Sequence, residues 1–186
     1  MSRQSQALAD FLAKSTALHP DNDPPPSKWS LYVDGSSTKH GSRAGLIIES
    51  PGDERYEYAL TFKFKASNNE VEYEALIAGI ELCYTAATDL VWAFLDSQLV
   101  VSQLNGEYET KNDIMAAYLW CVREATRLLK HFAITHIPQS ENRQADALSK
   151  LASSSEDGKP KNIKWEILME RSIDPHEILW LDRSST

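Results

Sequence analysis

The chain has 186 residues, 42% hydrophobic and 25% charged, enough for one ordinary globular domain with terminal extensions and too few for a second full domain. No run of some 18 apolar residues occurs, and the opening Met-Ser-Arg-Gln-Ser-Gln lacks the plan of a secretory signal, so a cytoplasmic or nuclear setting is expected. The formal charge of −8 argues against a grip on phosphate by Lys and Arg, and two cysteines, Cys83 and Cys121, without histidines at ligand spacing make no zinc site.

Residues 1–28 hold a short helical stretch, Gln6 to Leu12, and then Asp21-Asn-Asp-Pro-Pro-Pro-Ser27, whose prolines suit a linker. Trp29 to Val33 alternates as a strand, with Trp29, Leu31 and Val33 on one face, and Gly35 is expected to end it. Ala44 to Glu49 and Tyr56 to Phe64 are two more strands around the turn Ser50-Pro-Gly-Asp, giving an antiparallel meander. Asn68 or Asn69 is expected to cap a helix to about Thr85, and Val91 to Leu95 reads as a central strand buried on both faces. Ser97 to Leu104 and Asp113 to Phe132 read as helices, Ala133 to Ile137 as a strand and Asn142 to Ala152 as a helix. The order β-β-β-α-β-α-α-β-α predicts an α/β fold with a mixed five-stranded sheet and helices on both faces. From Ser153 to Lys161 the sequence reads as a linker, and residues 163–186 as an extension whose apolar side chains, Trp165 and Trp180 among them, dock on this domain or a neighbour.

Four acids end these elements: Asp34, Glu72, Asp96 and Asp146. Hard divalent cations take carboxylate oxygens, and converging carboxylates repel unless metal neutralises them. Singly, Asp34-Gly35 reads equally as a turn, Asp96 as a helix cap and Asp146, four residues before Lys150, as half of a surface pair. Glu72 is sharper. At 100° per residue Glu70, Glu74 and Glu81 share one face, whereas Glu72 lines up with Leu76, Gly79 and Cys83 on the apolar side, where an unpaired charge costs several kcal/mol. His136, at the end of the last strand, reads by itself as a surface or structural histidine.

In order, the blocks Trp-Ser-Leu-Tyr-Val-Asp-Gly-Ser-Ser (29–37), Ala-Ser-Asn-Asn-Glu-Val-Glu-Tyr-Glu-Ala-Leu-Ile-Ala-Gly (66–79), Asp-Ser-Gln-Leu-Val-Val (96–101), Asn-Gly-Glu-Tyr-Glu (105–109) and His-Ile-Pro-Gln-Ser-Glu-Asn-Arg-Gln-Ala-Asp-Ala-Leu-Ser-Lys-Leu-Ala (136–152) resemble the type 1 ribonuclease H domain. The resemblance is greatest to the form found in plant gypsy-type LTR retrotransposon polyproteins, and Ala7 to Leu12 looks like the segment that joins reverse transcriptase to ribonuclease H there. It implies a ribonuclease H domain at 29–152 after a connector at 1–28. It further implies that Asp34, Glu72, Asp96 and Asp146 hold two Mg2+ ions, with Mn2+ as a substitute, about 4 Å apart, for endonucleolytic cutting of the RNA strand of an RNA/DNA hybrid. His136 matches the family's mobile histidine, implied to assist proton transfer or release of product and metal. Gly35, Ser67, Asn69 and Gln98 occupy positions implied to contact the hybrid: Asn69 and Gln98 in the minor groove and Ser67 at a DNA phosphate, with a plain helix cap as the open alternative for Asn69.

The basic handle of cellular bacterial relatives is missing, since Asn105-Gly-Glu-Tyr-Glu-Thr-Lys leads straight into the next helix, and Gln139-Ser140 stands where relatives carry a basic residue. With a charge of −8 these departures predict weak hybrid affinity and dependence on a tethered reverse transcriptase that raises effective concentration. A catalytically silent interaction module on the same fold is the alternative from a different class, and a related nuclease or integrase is a third.

Overall fold

A computed structural model describes residues 28–86, 88–110, 112–152 and 162–173. Of the proposed connector at 1–28, residues 1–27 lie outside them, as do the linker at 153–161 and the apolar residues Ile178 to Leu181, whereas Lys28 opens the first strand. The sheet has six strands in the order β5-β4-β1-β2-β3-β6: β1 Lys28–Thr38, β2 Gly41–Glu49, β3 Arg55–Phe62, β4 Leu90–Leu95, β5 His131–His136 and β6 Ile163–Leu168. The first three form the expected antiparallel meander, and β4, β5 and β6 join in parallel. The helices are α1 Asn68–Thr85, α2 Gln98–Leu104, α3 Asp113–Thr126 and α4 Arg143–Leu151, with a 3-10 turn at Gln139–Glu141.

The sheet separates two apolar layers. Trp29, Leu31 and Val33, all fully buried, pack with Leu76, Ile80, Val100 and Val122 on the side of α1, α2 and α3. Ile47, Ala59 and Ile163 pack with Ala145 and Leu148 of α4 on the other. Strand periodicity accounts for this division, because alternate residues of β1 face opposite layers. Cys83 lies in the first layer, where burial pushes its thiol up to about 12, and the two cysteines form no disulfide.

Four expectations are corrected. The sheet gains a sixth strand because residues 163–168, expected in an extension, pair in parallel with β3 from Glu57↔Ile163 to Phe62↔Leu168 and cover its edge. The helix expected to reach Phe132 stops at Thr126, and residues 131–136 instead satisfy their backbone groups against β4, in register from Leu90↔His131 to Leu95↔His136. Leu129 is buried and Phe132 packs against the core, so both continued the apolar pattern across a change of element. Gly35 does not end β1, which runs on to Thr38 with Gly35 paired to Ala44. The cap of α1 is Ser67 rather than Asn68 or Asn69: its hydroxyl accepts from the Glu70 amide at 3.3 Å while the Glu70 carboxylate accepts from the Ser67 amide at 2.6 Å.

Candidate metal centre and active site

Parallel pairing sets the first two acids side by side. Val33 is in register with Leu95 and Leu95 with His136, so Asp34, inside β1 but just past its last pair with β4, lies beside Asp96 and His136 at the carboxyl ends of β4 and β5, the usual site position in open α/β sheets. Helix α1 brings the third. Its apolar side lies so close to the sheet that a side chain on Gly79 would meet Leu31 at 2.8 Å and one on Gly35 would meet Val71 Cγ1 at 2.9 Å. The room that a side chain on Gly35 would need is thus taken by α1. Glu72 is carried to the strand ends, where its Oε1 accepts from the Gly35 amide at 2.9 Å. Oxygens of Asp34, Glu72 and Asp96 all lie within 4.8 Å of one another.

Helix α4 supplies the fourth acid. Gly45 faces Asp34 across the β1–β2 ladder, and a Cβ there would fall 2.1 Å from the Ala145 carbonyl and 2.7 Å from Leu148 Cβ. Only glycine lets α4 settle here, bringing Asp146 near enough to help raise Asp34, although the carboxylates within 4.8 Å of one another are Asp34, Glu72 and Asp96 and do not include it. Asp146 also pairs with Lys150 at 2.9 Å, so the surface-pair reading and the site reading hold together.

The electrostatics are those of a crowded acidic site. Burial raises Asp34 from 3.8 to about 8, helped by the charge of Asp96 and by the hydrogen bond and charge of Asp146. Burial raises Glu72 well above its ordinary value despite the Gly35 hydrogen bond, with Asp34 and Asp96 adding to the rise. Burial also raises Asp96, opposed by a hydrogen bond from Asn142 and by nearby His136. Glu72 Oε2 is buried without a hydrogen-bond partner, a costly state for a carboxylate that a cation would relieve. A buried all-oxygen donor set with one orphaned oxygen fits a hard divalent cation.

A stability prediction follows from these shifts. A carboxyl whose folded pKa exceeds its unfolded value favours folding most when protonated, so the contribution of Asp34 is full below about 3.8 and is lost as pH rises to about 8. In a chelator the melting temperature is expected to fall across that window, and Mg2+ to reduce the fall by neutralising the cluster. Thermal melts at several pH values with and without Mg2+ check this; equal pH slopes in both series would contradict it.

The proposed substrate residues are distributed as follows. Ser67 is committed to the capping box. Asn69 is half-buried in the first turn without being its cap, while neighbouring Asn68 accepts from the Ser37 amide at 2.7 Å. Gln98 is exposed at the start of α2, whose cap is Ser97, so Asp96 is not the cap that it resembled in isolation. His136 is exposed beside Asp96. Sequence reasoning missed Asn142. Fully buried, its amide donates to the Val33 carbonyl at 2.7 Å, tying β1 to the start of α4, and it lies near enough to Asp96 to oppose the rise of that carboxyl. The sequence signal available was its place just before α4, where it would have been read as a cap, yet its side chain makes no cap hydrogen bond.

This sheet order, with an acidic cluster at the carboxyl ends of its parallel centre, defines a ribonuclease H-like domain. The chain belongs to the reverse transcriptase-like family, whose model matches residues 32–152. It is 36% identical to ribonuclease HI of Halobacterium salinarum over 121 residues, covering 63% of this chain and 60% of the relative, so it spans well under two thirds of that protein. The crystal structure of RNase H1 from that archaeon superposes with a TM-score of 0.60 at 29% identity, covering 66% of this chain and 95% of the other. An RNase H1 isolated from compost gives 0.58 at 26%, covering 66% and 93%.

Proposed function

We propose that this chain hydrolyses the RNA strand of RNA/DNA hybrids endonucleolytically, as a retroelement-derived ribonuclease H working beside a reverse transcriptase domain. The observation that carries this is the convergence of Asp34, Glu72 and Asp96 within 4.8 Å with one buried oxygen unpartnered; similarity to proteins named ribonuclease HI and RNase H1 supports the choice of substrate. Asp34, Glu72, Asp96 and Asp146 would hold two Mg2+ ions, which when bound supply charge neutralisation for the attacking and leaving oxygens. The residues of the chain do the rest. The Gly35 amide and the Asn142 amide hold Glu72 and Asp96 in place before any cation arrives. Exposed His136 stands beside Asp96 at the rim, placed to take or give a proton at its imidazole. Ser67, Asn69 and Gln98 sit at the first turns of α1 and α2, where a hybrid lying over the strand ends would pass.

Among the described residues no helix separates Leu104 from Asp113, so a basic handle is not built there and affinity must come from elsewhere. Cleavage of a labelled hybrid should therefore need Mg2+ or Mn2+, spare double-stranded DNA, and fall measurably between low and physiological salt. Each phosphate contact contributes roughly one power of salt concentration, and an isolated domain has little other affinity to draw on. Cutting that ignores salt would contradict the weak-grip reading, and cutting in excess chelator would contradict the metal reading.

A further inference from the structure

The face of α1 opposite the metal cluster is not the solvated acidic face that its phase predicts. Glu70 and Glu74 are buried to 8% and 2% exposure, and the segment after β6 reaches both. Glu74 is the better satisfied: its carboxylate accepts from Tyr118 at 2.7 Å, from the Ser172 amide at 2.8 Å and from the Ser172 hydroxyl. Arg171 lies 3.7 Å from the Glu70 carboxylate and donates to the carbonyl of Lys65, in the loop that feeds α1. Ile173, at 4% exposure, then enters the core. Strand β6 delivers this segment, and all of it lies beyond residue 152, where the family match ends.

Glu72 stands midway between Glu70 and Glu74 on the same helix. On one side α1 is pressed against β1 at Gly35, with no room to move inward. Empty of cations, the three carboxylates repel, and the outward direction is the one left to relax. The segment at 171–173 closes that direction. We propose that residues 163–173 are a latch that positions Glu72 for divalent-cation binding, through Ser172 on Glu74 and Arg171 on Glu70 and the Lys65 carbonyl. Arg171 and Ser172 are positioning residues, and the inference rests on the metal-site reading above.

The test is Mn2+ binding by calorimetric titration, well below the melting temperature, to the full chain and four variants. The Arg171→Ala/Ser172→Ala double variant is expected to bind Mn2+ about 10-fold more weakly, the lower end of what loss of a residue supporting a metal ligand causes. Cleavage should need correspondingly more metal and recover its full rate at saturation. Val91→Ala, a core truncation at the amino end of β4, the end remote from Asp96, lowers stability too but is expected to keep the affinity of the unaltered chain. Exposed Arg171 permits the single Arg171→Ala change should the double variant fail to fold. Unchanged Mn2+ affinity in the latch variants beside a lowered melting temperature would overturn the latch and leave it a purely structural contact. Asp34→Asn binding Mn2+ as tightly as the unaltered chain would instead overturn the metal reading, and the latch with it.

Discussion

Glu72→Gln is expected to lower hybrid cleavage by more than about 100-fold, beyond the 10- to 100-fold typical of losing a residue that only supports a metal ligand, while raising the stability of the metal-free protein. The two effects have one cause. Glu72 Oε1 accepts from the Gly35 amide, which glutamine does equally well, whereas Oε2 is buried with no partner near two further acids. The amide that replaces Oε2 is a donor facing carboxylates, so a repulsive contact becomes an attractive one worth on the order of 1 kcal/mol. The same substitution removes a negative charge that a divalent cation needs. Activity assays paired with melts in a chelator check it. A variant that loses both activity and metal-free stability would show that Glu72 is a structural carboxylate. Sites tuned for function store such instability, and its release on substitution is their signature.

Gly45→Ala carries the second large effect. A Cβ at this position would sit 2.1 Å from the Ala145 carbonyl, 2.7 Å from Leu148 Cβ and 2.9 Å from the Ser149 amide nitrogen. Two of these are backbone atoms of α4, so no rotamer change relieves the clash and the helix must move off the sheet. Overpacking of this kind costs about 1–3 kcal/mol, and the displaced helix takes Asp146 away from Asp34. Melting temperature and cleavage rate should therefore fall together, and Mn2+ affinity with them. Gly106→Ala is the control: Gly106 has open space around its missing Cβ and only a positive φ of 75° to lose, so it is expected to weaken the fold modestly and leave metal affinity unchanged. A Gly45→Ala chain with normal Mn2+ affinity would contradict the account of how α4 places the fourth acid.

Much of this arrangement could be read in the sequence because it is local. Alternation in β1 and helical phase in α1 follow from neighbours a few residues apart, and the phase singled out Glu72 among three glutamates. The close approach at Gly79 agrees with that face lying against the sheet, whereas burial does not separate the three, since Glu70 and Glu74 are buried as well. Contacts set by distant parts of the chain were beyond such reasoning. Glu74 falls on the polar side of α1 by phase, and its burial depends on Ser172, 98 residues away. Asn142 gives its amide to Val33, 109 residues earlier. Gly45 sits in an ordinary strand, and only the arrival of α4 makes it indispensable. Strand β6 does alternate, Ile163, Trp165 and Ile167 against Lys164 and Glu166, but nothing local says that it pairs with β3, so it was read as an extension.

Incubation of the purified chain with an RNA/DNA hybrid labelled on both strands, at low salt with Mg2+, tests the central claim most directly. The account predicts an RNA strand cut internally to fragments with 5′-phosphate and 3′-hydroxyl ends, a DNA strand left whole, and no cutting by Asp34→Asn. An RNA strand still intact at high enzyme concentration, with Mg2+ and with Mn2+ alike, would contradict it.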